Sequence, residues 1–244
     1  MLKLDIDPKL KTRARTAAAR IAGSFAWLFD DYSSLAIERT VLRLMGIDGA
    51  LEDGKPLPNV VVDHLQAKNA LLRGAAIPVA NAMLSRGLNA QEVAEAVGRG
   101  ELDLSELPEA PPEQLYKVLD KLSTQMLARI RGQREKRDKL FAEYGPRRVP
   151  AIYVIVATGN IYEDAVQAKA AASEGADIIA VIRSTAQSLL DYVPYGATTV
   201  GFGGTFATQE NFRIMRAALD EVSEQQKRSI SLTNYASGLC IPET

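Results

Sequence analysis

The chain has 244 residues, 47% of them hydrophobic and 24% charged, with 29 Lys and Arg against 30 Asp and Glu and a formal net charge of −1. So even a balance gives no bulk electrostatic reason to expect nucleic acid or an anionic membrane as partner, and no apolar run approaches the roughly 18 residues a membrane span needs. A single cysteine, Cys240, excludes an internal disulfide framework and any zinc site needing two thiolates from this chain; the N-terminus, MLKLDIDPKLKTRARTAAAR, has no apolar signal core, so a cytoplasmic protein is expected.

Residues 1–148 read as a helical region. Over 8–29, Ala18, Ile21, Ala22, Phe25 and Leu28 recur three and four apart, the spacing of one helix face. Leu35 to Met45 form a second amphipathic run closed by Gly46. Residues 59–86 predict one or two helices with breaks near Gly74 and Pro78, and Asn89 with Glu92 reads as a capping box opening a short helix that ends near Gly98. Pro111 and Pro112 then open a long helix with Leu115, Val118, Leu119, Leu122, Met126, Leu127 and Ile130 on its apolar face, stopped after Tyr144 by Gly145 and Pro146.

From 149 to 244 the period changes. AIYVIVA (151–157) is a continuous β-rich run of the kind found in a strand buried on both faces; Ile161 to Ser173 reads as a helix, DIIAVI (177–182) as a second strand, a helix follows Thr208 as N-cap, and SISLTN (229–234) is a third strand. The order β-α-β-α-β implies a parallel sheet with right-handed crossovers. Three strands make either a small open sheet shielded by the helical region or the first units of a longer barrel. The second is expected, because the helical region supplies no further strands.

The connection RSTAQSLLDYVPYGATTVGFGGT (183–205) is far longer than the two to six residues usual between such elements. Loops after the C-terminal ends of parallel strands line the ligand site in α/β folds. Arg183 at the strand end suits a phosphate or carboxylate, Ser184, Thr185, Ser188 and Thr205 add hydroxyls, Tyr192 and Tyr195 add rings, and the glycines let backbone amides approach a ligand. TGN (158–160) and TNYASG (233–238), with Asn234, Tyr235 and Ser237, emerge at the same rim. An anion site for a phosphorylated aromatic molecule competes here with a plain polar surface loop. GFGGT lacks the Lys-Ser/Thr ending of a P-loop and does not match the dinucleotide fingerprint.

The strings DIIAVIRSTAQSLLDYVPYGATT, GFGGTFATQENFRIMRAALDE and LTNYASGLCIPE closely resemble the large, barrel-forming subunit of the lysine 5,6-aminomutase family, related to ornithine 4,5-aminomutase, almost continuously from Val149 to Glu243. The resemblance implies a (β/α)8 TIM-type barrel, of which this chain carries the first units. It also implies a pyridoxal phosphate- and adenosylcobalamin-dependent radical isomerase that moves the terminal amino group of lysine or a related diamino acid to the adjacent carbon. By position in the motif, Arg183 and Ser188 hold the cofactor phosphate and Ser237 faces the pyridine nitrogen, with Tyr192, Tyr195 and Asn234 as neighbours. No catalytic residue of this chain is assigned and no metal site is expected. A smaller cobalamin-binding partner subunit carries the Schiff-base lysine, in keeping with the lack of lysine in the rim loops, so a hetero-oligomer is expected.

The sequence departs from the family pattern at Val200, where an acidic residue is usual, and at Ser229 and Ser231, where bulkier ones are. The family subunit is also roughly twice as long, so the chain alone is expected to be inactive. A non-catalytic or truncated assembly subunit and another barrel enzyme binding a phosphorylated small molecule are the alternatives. Elsewhere the bland readings are preferred. In RIRGQREKRDK (129–139), Glu135 and Asp138 interleave with the basic residues, as on a solvated helix face. Asp30 and Asp31 mark a turn, His64 sits within a helix in a packing or surface role, and Cys240 is a small buried side chain.

Overall fold

The computed structural model describes residues 7–27, 32–145, 147–183, 191–201, 204–235 and 240–244, without the side chains of 182 and 183. Two compact units are present, residues 1–34 and 35–244. In the first, α1 (Pro8–Ala26) starts on Asp7, whose carboxylate accepts the Lys9 amide at 2.8 Å, with Pro8 in the first turn. None of its residues is buried; Ile21 and Phe25 on the apolar face are exposed. Leu28, Asp30 and Asp31 lie outside the described residues.

The second unit opens with a helical layer: α2 (Leu35–Leu44), α3 (Leu57–Ala67), α4 (Ala76–Arg86), α5 (Ala90–Gly98) and α6 (Pro112–Tyr144). Its core is a close-packed cluster around Leu42, Ile47, Val61, Val62, Leu65, Val79 and Val93, all but fully buried. The expected capping box is present: the Asn89 side chain accepts the Glu92 amide at 3.0 Å and Glu92 returns to the Asn89 amide at 2.8 Å. Such a cap stabilises a helix start by about 1 kcal/mol. Pro78 does not break the chain. It sits in the first turn of α4, where its missing N–H would have no partner anyway. The long α6 has only Leu115 buried, with Leu119 and Leu122 partly covered; Leu127 and Ile130 are about half exposed because the helix outruns the bundle it starts against.

His64 is an anchor within this layer. Its Nε2 lies 3.1 Å from the Asp103 carboxylate and 3.2 Å from the Leu104 amide, fixing the turn that follows α5. The hydrogen bond from Lys68 and those from Ser105 hold the Asp103 carboxyl far below the usual carboxylate range.

The β/α part comprises β1 (Tyr153–Ile155), α7 (Ile161–Ser173), β2 (Ile178–Arg183), β3 (Thr205–Phe206), α8 (Gln209–Gln226) and β4 (Ser231–Tyr235). Every pairing is parallel. At Ile178 to Ala180 the two sides of β2 are taken by β1 and β4; at Ile182 and Arg183 they are taken by β3 and β4. The short β3 therefore continues the line of β1, and β2 is central. The three longer strands match the three expected from sequence. The two-residue β3 is too short to leave a periodic signal.

Alternation along the strands gives the sheet two unlike faces. Val156, Ile179 and Val181 turn towards the two helices and pack with Ile161, Ala168 and Ala172 of α7 and Met215, Leu219 and Val222 of α8. On the other face Tyr153, Ile155 and Tyr235 are about half exposed. The continuous apolar run of β1 suggests burial on both faces, but the described residues cover only the one packed by helices.

Candidate functional site

All strands being parallel, the end of β1, the end of β2 at Arg183 and the end of β4 at Tyr235 share one rim of the sheet, where ligands sit in α/β folds. Register places Ile182 opposite Asn234 and Arg183 opposite both Tyr235 and Phe206. The fold thus sets the ends of β2 and β4, about fifty residues apart in sequence, side by side. A register shift in β2 between Ala180 and Ile182 bends the strand just before this point.

Asn234 is the informative side chain. Its Oδ1 and Nδ2 are both shut off from solvent and neither has a hydrogen-bond partner among the described residues. Leaving one buried polar group unpaired costs about 1–3 kcal/mol, so an amide held in this way calls for a polar partner. Ser188 and Ser237 lie outside the described residues, as do Ser184 and Thr185. Tyr192 and Tyr195 are half-buried, in the segment that leads from β2 towards α8.

That segment is built into the fold along most of its described length. The carbonyls of Pro194 and Tyr195 accept the amides of Gln209 and Glu210 at 3.1 and 3.0 Å, and the Thr208 hydroxyl accepts that of Asn211 at 3.1 Å, so the first turn of α8 is already capped. The first turn of α7 is occupied too: Thr198 O accepts the Ile161 amide at 3.0 Å, and the Asn160 side chain accepts that of Tyr162 at 3.0 Å. Neither helix start offers these amides to an anion. The buried Asn211 side chain fastens the same loop by exchanging hydrogen bonds with Thr198 at 2.8 and 3.1 Å and donating to Phe206 O at 2.8 Å.

Gly159 and Gly201 serve an end the sequence does not suggest. A Cβ on Gly201 would overlap the Gly204 carbonyl and come within 3.1 Å of the Gly159 Cα; one on Gly159 would lie 3.0 Å from the Gly201 amide nitrogen. The loop after β1 and the loop after β2 meet backbone to backbone, and only residues without side chains permit it. Likewise Thr205, a candidate ligand hydroxyl, is fully buried and spent inside the fold: it donates to the buried Asp164 carboxylate and accepts the Gly159 amide at 3.1 Å. Asp164 also accepts the Thr158 amide at 2.7 Å. The Asp164–Thr205–Gly159 lock was not read from the sequence, since Asp164 looks like an ordinary first-turn acidic residue of α7.

On the exposed face of the sheet, the Tyr153 and Tyr235 hydroxyls meet at 2.7 Å across β2. The hydrogen bond that Tyr153 donates to Tyr235 in its neutral form, aided by burial, pushes the Tyr153 hydroxyl up to about 12. Cys240 is buried as expected, 3.8 Å from the Thr244 hydroxyl, and no group of three or more His, Cys, Asp or Glu among the described residues is placed to hold a metal ion. No described helix is long and apolar enough to cross a membrane.

Comparison with known proteins agrees with the likeness seen in the strings after Val149 and extends it. Residues 4–244 match the model of the D-lysine 5,6-aminomutase TIM-barrel domain of alpha subunit. The lysine 5,6-aminomutase alpha subunit of Acetoanaerobium sticklandii is 52% identical over 244 residues, covering 99% of this chain and 46% of that protein. The alpha subunit of the same name from Fusobacterium nucleatum subsp. nucleatum is 49% identical, covering 100% of this chain and 47% of its own length. A shorter match, 36% over 105 residues, links 43% of the chain to 14% of the D-ornithine 4,5-aminomutase subunit beta of Acetoanaerobium sticklandii. The chain spans about half the length of the two alpha subunits it matches. With an α/β fold and a family match over nearly its whole length, the chain belongs to the D-lysine 5,6-aminomutase alpha-subunit TIM-barrel family.

Proposed function

We propose that this chain is part of a pyridoxal phosphate- and adenosylcobalamin-dependent aminomutase that moves the terminal amino group of lysine, or of a related diamino acid, to the adjacent carbon by a radical route. In this reading residues 149–244 form the barrel domain, with β1, β2 and β4 as consecutive barrel strands, and residues 1–148 form a helical region in front of it. A smaller cobalamin-binding subunit provides the Schiff-base lysine, consistent with the lack of lysine in 153–160, 183–208 and 231–238. The lone, buried Cys240 suits a cytoplasmic setting.

The observation that carries the reading is the buried amide of Asn234, which has no hydrogen-bond partner among the described residues and lies in register with Ile182, one residue before Arg183. A phosphate-bearing aromatic ring would suit the residues assigned to it: a cation at Arg183 for the dianion, an amide at Asn234 able both to donate and to accept, and the hydroxyls of Ser188 and Ser237. When bound, the two cofactors supply the radical and hold the migrating amine. The residues of this chain bind and orient. Arg183 and Ser188 would hold the phosphate, Ser237 would face the pyridine nitrogen, Asn234 would fix a polar group at the end of β4, and Tyr192 and Tyr195 would flank the ring.

Pyridoxal phosphate binding tests this directly, measured by absorbance and calorimetry on the full-length subunit co-expressed with its small partner. Arg183→Ala is expected to lose at least about 1.5 kcal/mol of binding, the scale of a charge-assisted phosphate contact. A parent protein that binds no pyridoxal phosphate would sink the proposal.

A further inference from the structure

We propose that Arg39 of α2 and Glu243 are a positioning pair that holds the loop after β2 in place at the cofactor rim; the inference rests on the pyridoxal phosphate reading above. Arg39 is 3% exposed and the Glu243 side chain is fully buried. The Arg39 Nε donates to one Glu243 oxygen, and its Nη2 donates to the Asp191 carbonyl at 2.7 Å. The other Glu243 oxygen accepts the Val193 amide at 2.8 Å and lies 3.7 Å from the Arg43 guanidinium, which reaches the Val193 carbonyl at 3.4 Å.

Three parts of the chain meet at this point. Arg39 and Arg43 come from the helical layer, Asp191 and Val193 directly follow the segment holding Ser188, and Glu243 lies six residues beyond Ser237. Residues 191–193 and Glu243, which follow in sequence the two segments assigned to the cofactor, are thus fastened to each other and to α2 through one carboxylate. A buried ion pair is a poor device for stability alone, since well-packed apolar side chains often serve as well. Here the charged groups are aimed at backbone amide and carbonyl groups of the loop, so the cluster fixes the position of a strand-to-helix connection whose chemistry needs accuracy. A shift of about 1 Å in such a support is enough to impair a site.

The test compares the parent complex with Arg39→Ala, Arg39→Lys and Glu243→Gln, and with Arg73→Ala, which removes an exposed pair to Glu109, as control. Hydrogen exchange of a peptide covering 191–196 is followed in the cofactor-free protein, and pyridoxal phosphate affinity and the visible circular dichroism of the bound cofactor in the loaded one. Arg39→Ala is expected to speed exchange at Val193, weaken pyridoxal phosphate by about tenfold and change its dichroism. Arg39→Lys, which keeps the charge but not the fork to Asp191, recovers only part, and the control changes nothing. Should Arg39→Ala fail to fold, Glu243→Gln and Arg39→Lys carry the same comparison at their own melting temperatures. Affinity and dichroism unchanged in a folded variant overturn the positioning role while leaving the cofactor reading intact. A parent that binds no pyridoxal phosphate overturns both.

Discussion

At the N-terminal end of the sheet Asp177 has a partner for each carboxylate oxygen, whereas at the C-terminal end Asn234, also held out of water, has none among the described residues. Asp177 accepts the Ile152 amide at 2.8 Å and pairs with Arg148 at 2.7 Å and Arg228 at 3.3 Å, while its own backbone joins β1 and β4 through Ile152 and Ser231. A polar group that is fully partnered stabilises; under the reading proposed above, the one left open serves something that binds. In a parallel α/β fold these are the expected roles of the two ends of the strands.

The sharpest way to break the comparison is to remove Asp177. Asp177→Ala would orphan the part-buried Ile152 amide and a partly buried Arg228, and is expected to cost about 3 kcal/mol, at the low end for a buried pair because Arg148 is half exposed. Chemical denaturation of parent and variant at pH 7 measures it. Burial pushes the Asp177 carboxyl up, but the Ile152 amide and the two arginines outweigh burial and leave it below its ordinary value. A carboxylate depressed in the folded state contributes stability that is present above its unfolded value, about 3.9, and lost as the pH falls through the folded one. The gap between parent and variant should therefore hold at pH 6 and narrow below about pH 4. A gap that stays constant down to pH 2 would rule out this role for the ion pair.

At the other end the rigid part of the rim is the glycine contact. Gly201→Ala puts a methyl group onto the Gly204 carbonyl, which is backbone and cannot swing aside. About 2 kcal/mol of stability should be lost, the scale of overpacking, together with pyridoxal phosphate binding, because the loops after β1 and β2 would have to part. Full binding in a folded Gly201→Ala protein would separate this contact from the site.

The elements that were legible in the sequence are those whose cause is local. The start of α6 on Pro111 and Pro112, its end at Gly145, the Asn89 box and the three apolar strands all follow from neighbours within a few residues. The rim was legible only as a set of strand ends. Arg39 and Glu243 are 204 residues apart, and Thr205 and Asp164 are 41 apart, so neither pairing leaves a trace in spacing. The contact of Gly159 with Gly201 was hidden for the same reason: the partner is another loop, which the chain pattern does not name. Pro78 misled because one residue decides whether a proline opens a helix or ends it.

Asn234→Ala sharpens the contrast further. Removing an amide with no partner among the described residues relieves a burial cost, so the cofactor-free protein should keep its stability or gain up to about 1 kcal/mol, while pyridoxal phosphate binding weakens. Opposite signs in the two measurements are the signature of a side chain kept for a ligand. Clear destabilisation of the free protein would mean that Asn234 has a structural partner and the two ends of the sheet are alike.

The smallest effect is expected on the open face, between the two ends. Tyr153 and Tyr235 are each about half exposed, so Tyr235→Phe removes a hydrogen bond that water can replace, at a cost of about 0.5 kcal/mol. Its chemical mark is larger than its energetic one. The Tyr235 hydroxyl is the main cause that raises Tyr153 to about 12, so in the Phe variant Tyr153 should ionise nearer the ordinary tyrosine value of about 10. Difference absorbance of the phenolate between parent and variant, with Tyr153→Phe as reference, isolates the group among the eight tyrosines of the chain. An unchanged alkaline titration would mean that the two hydroxyls do not meet across β2, and would remove the contact that ties the open face of β1 to that of β4.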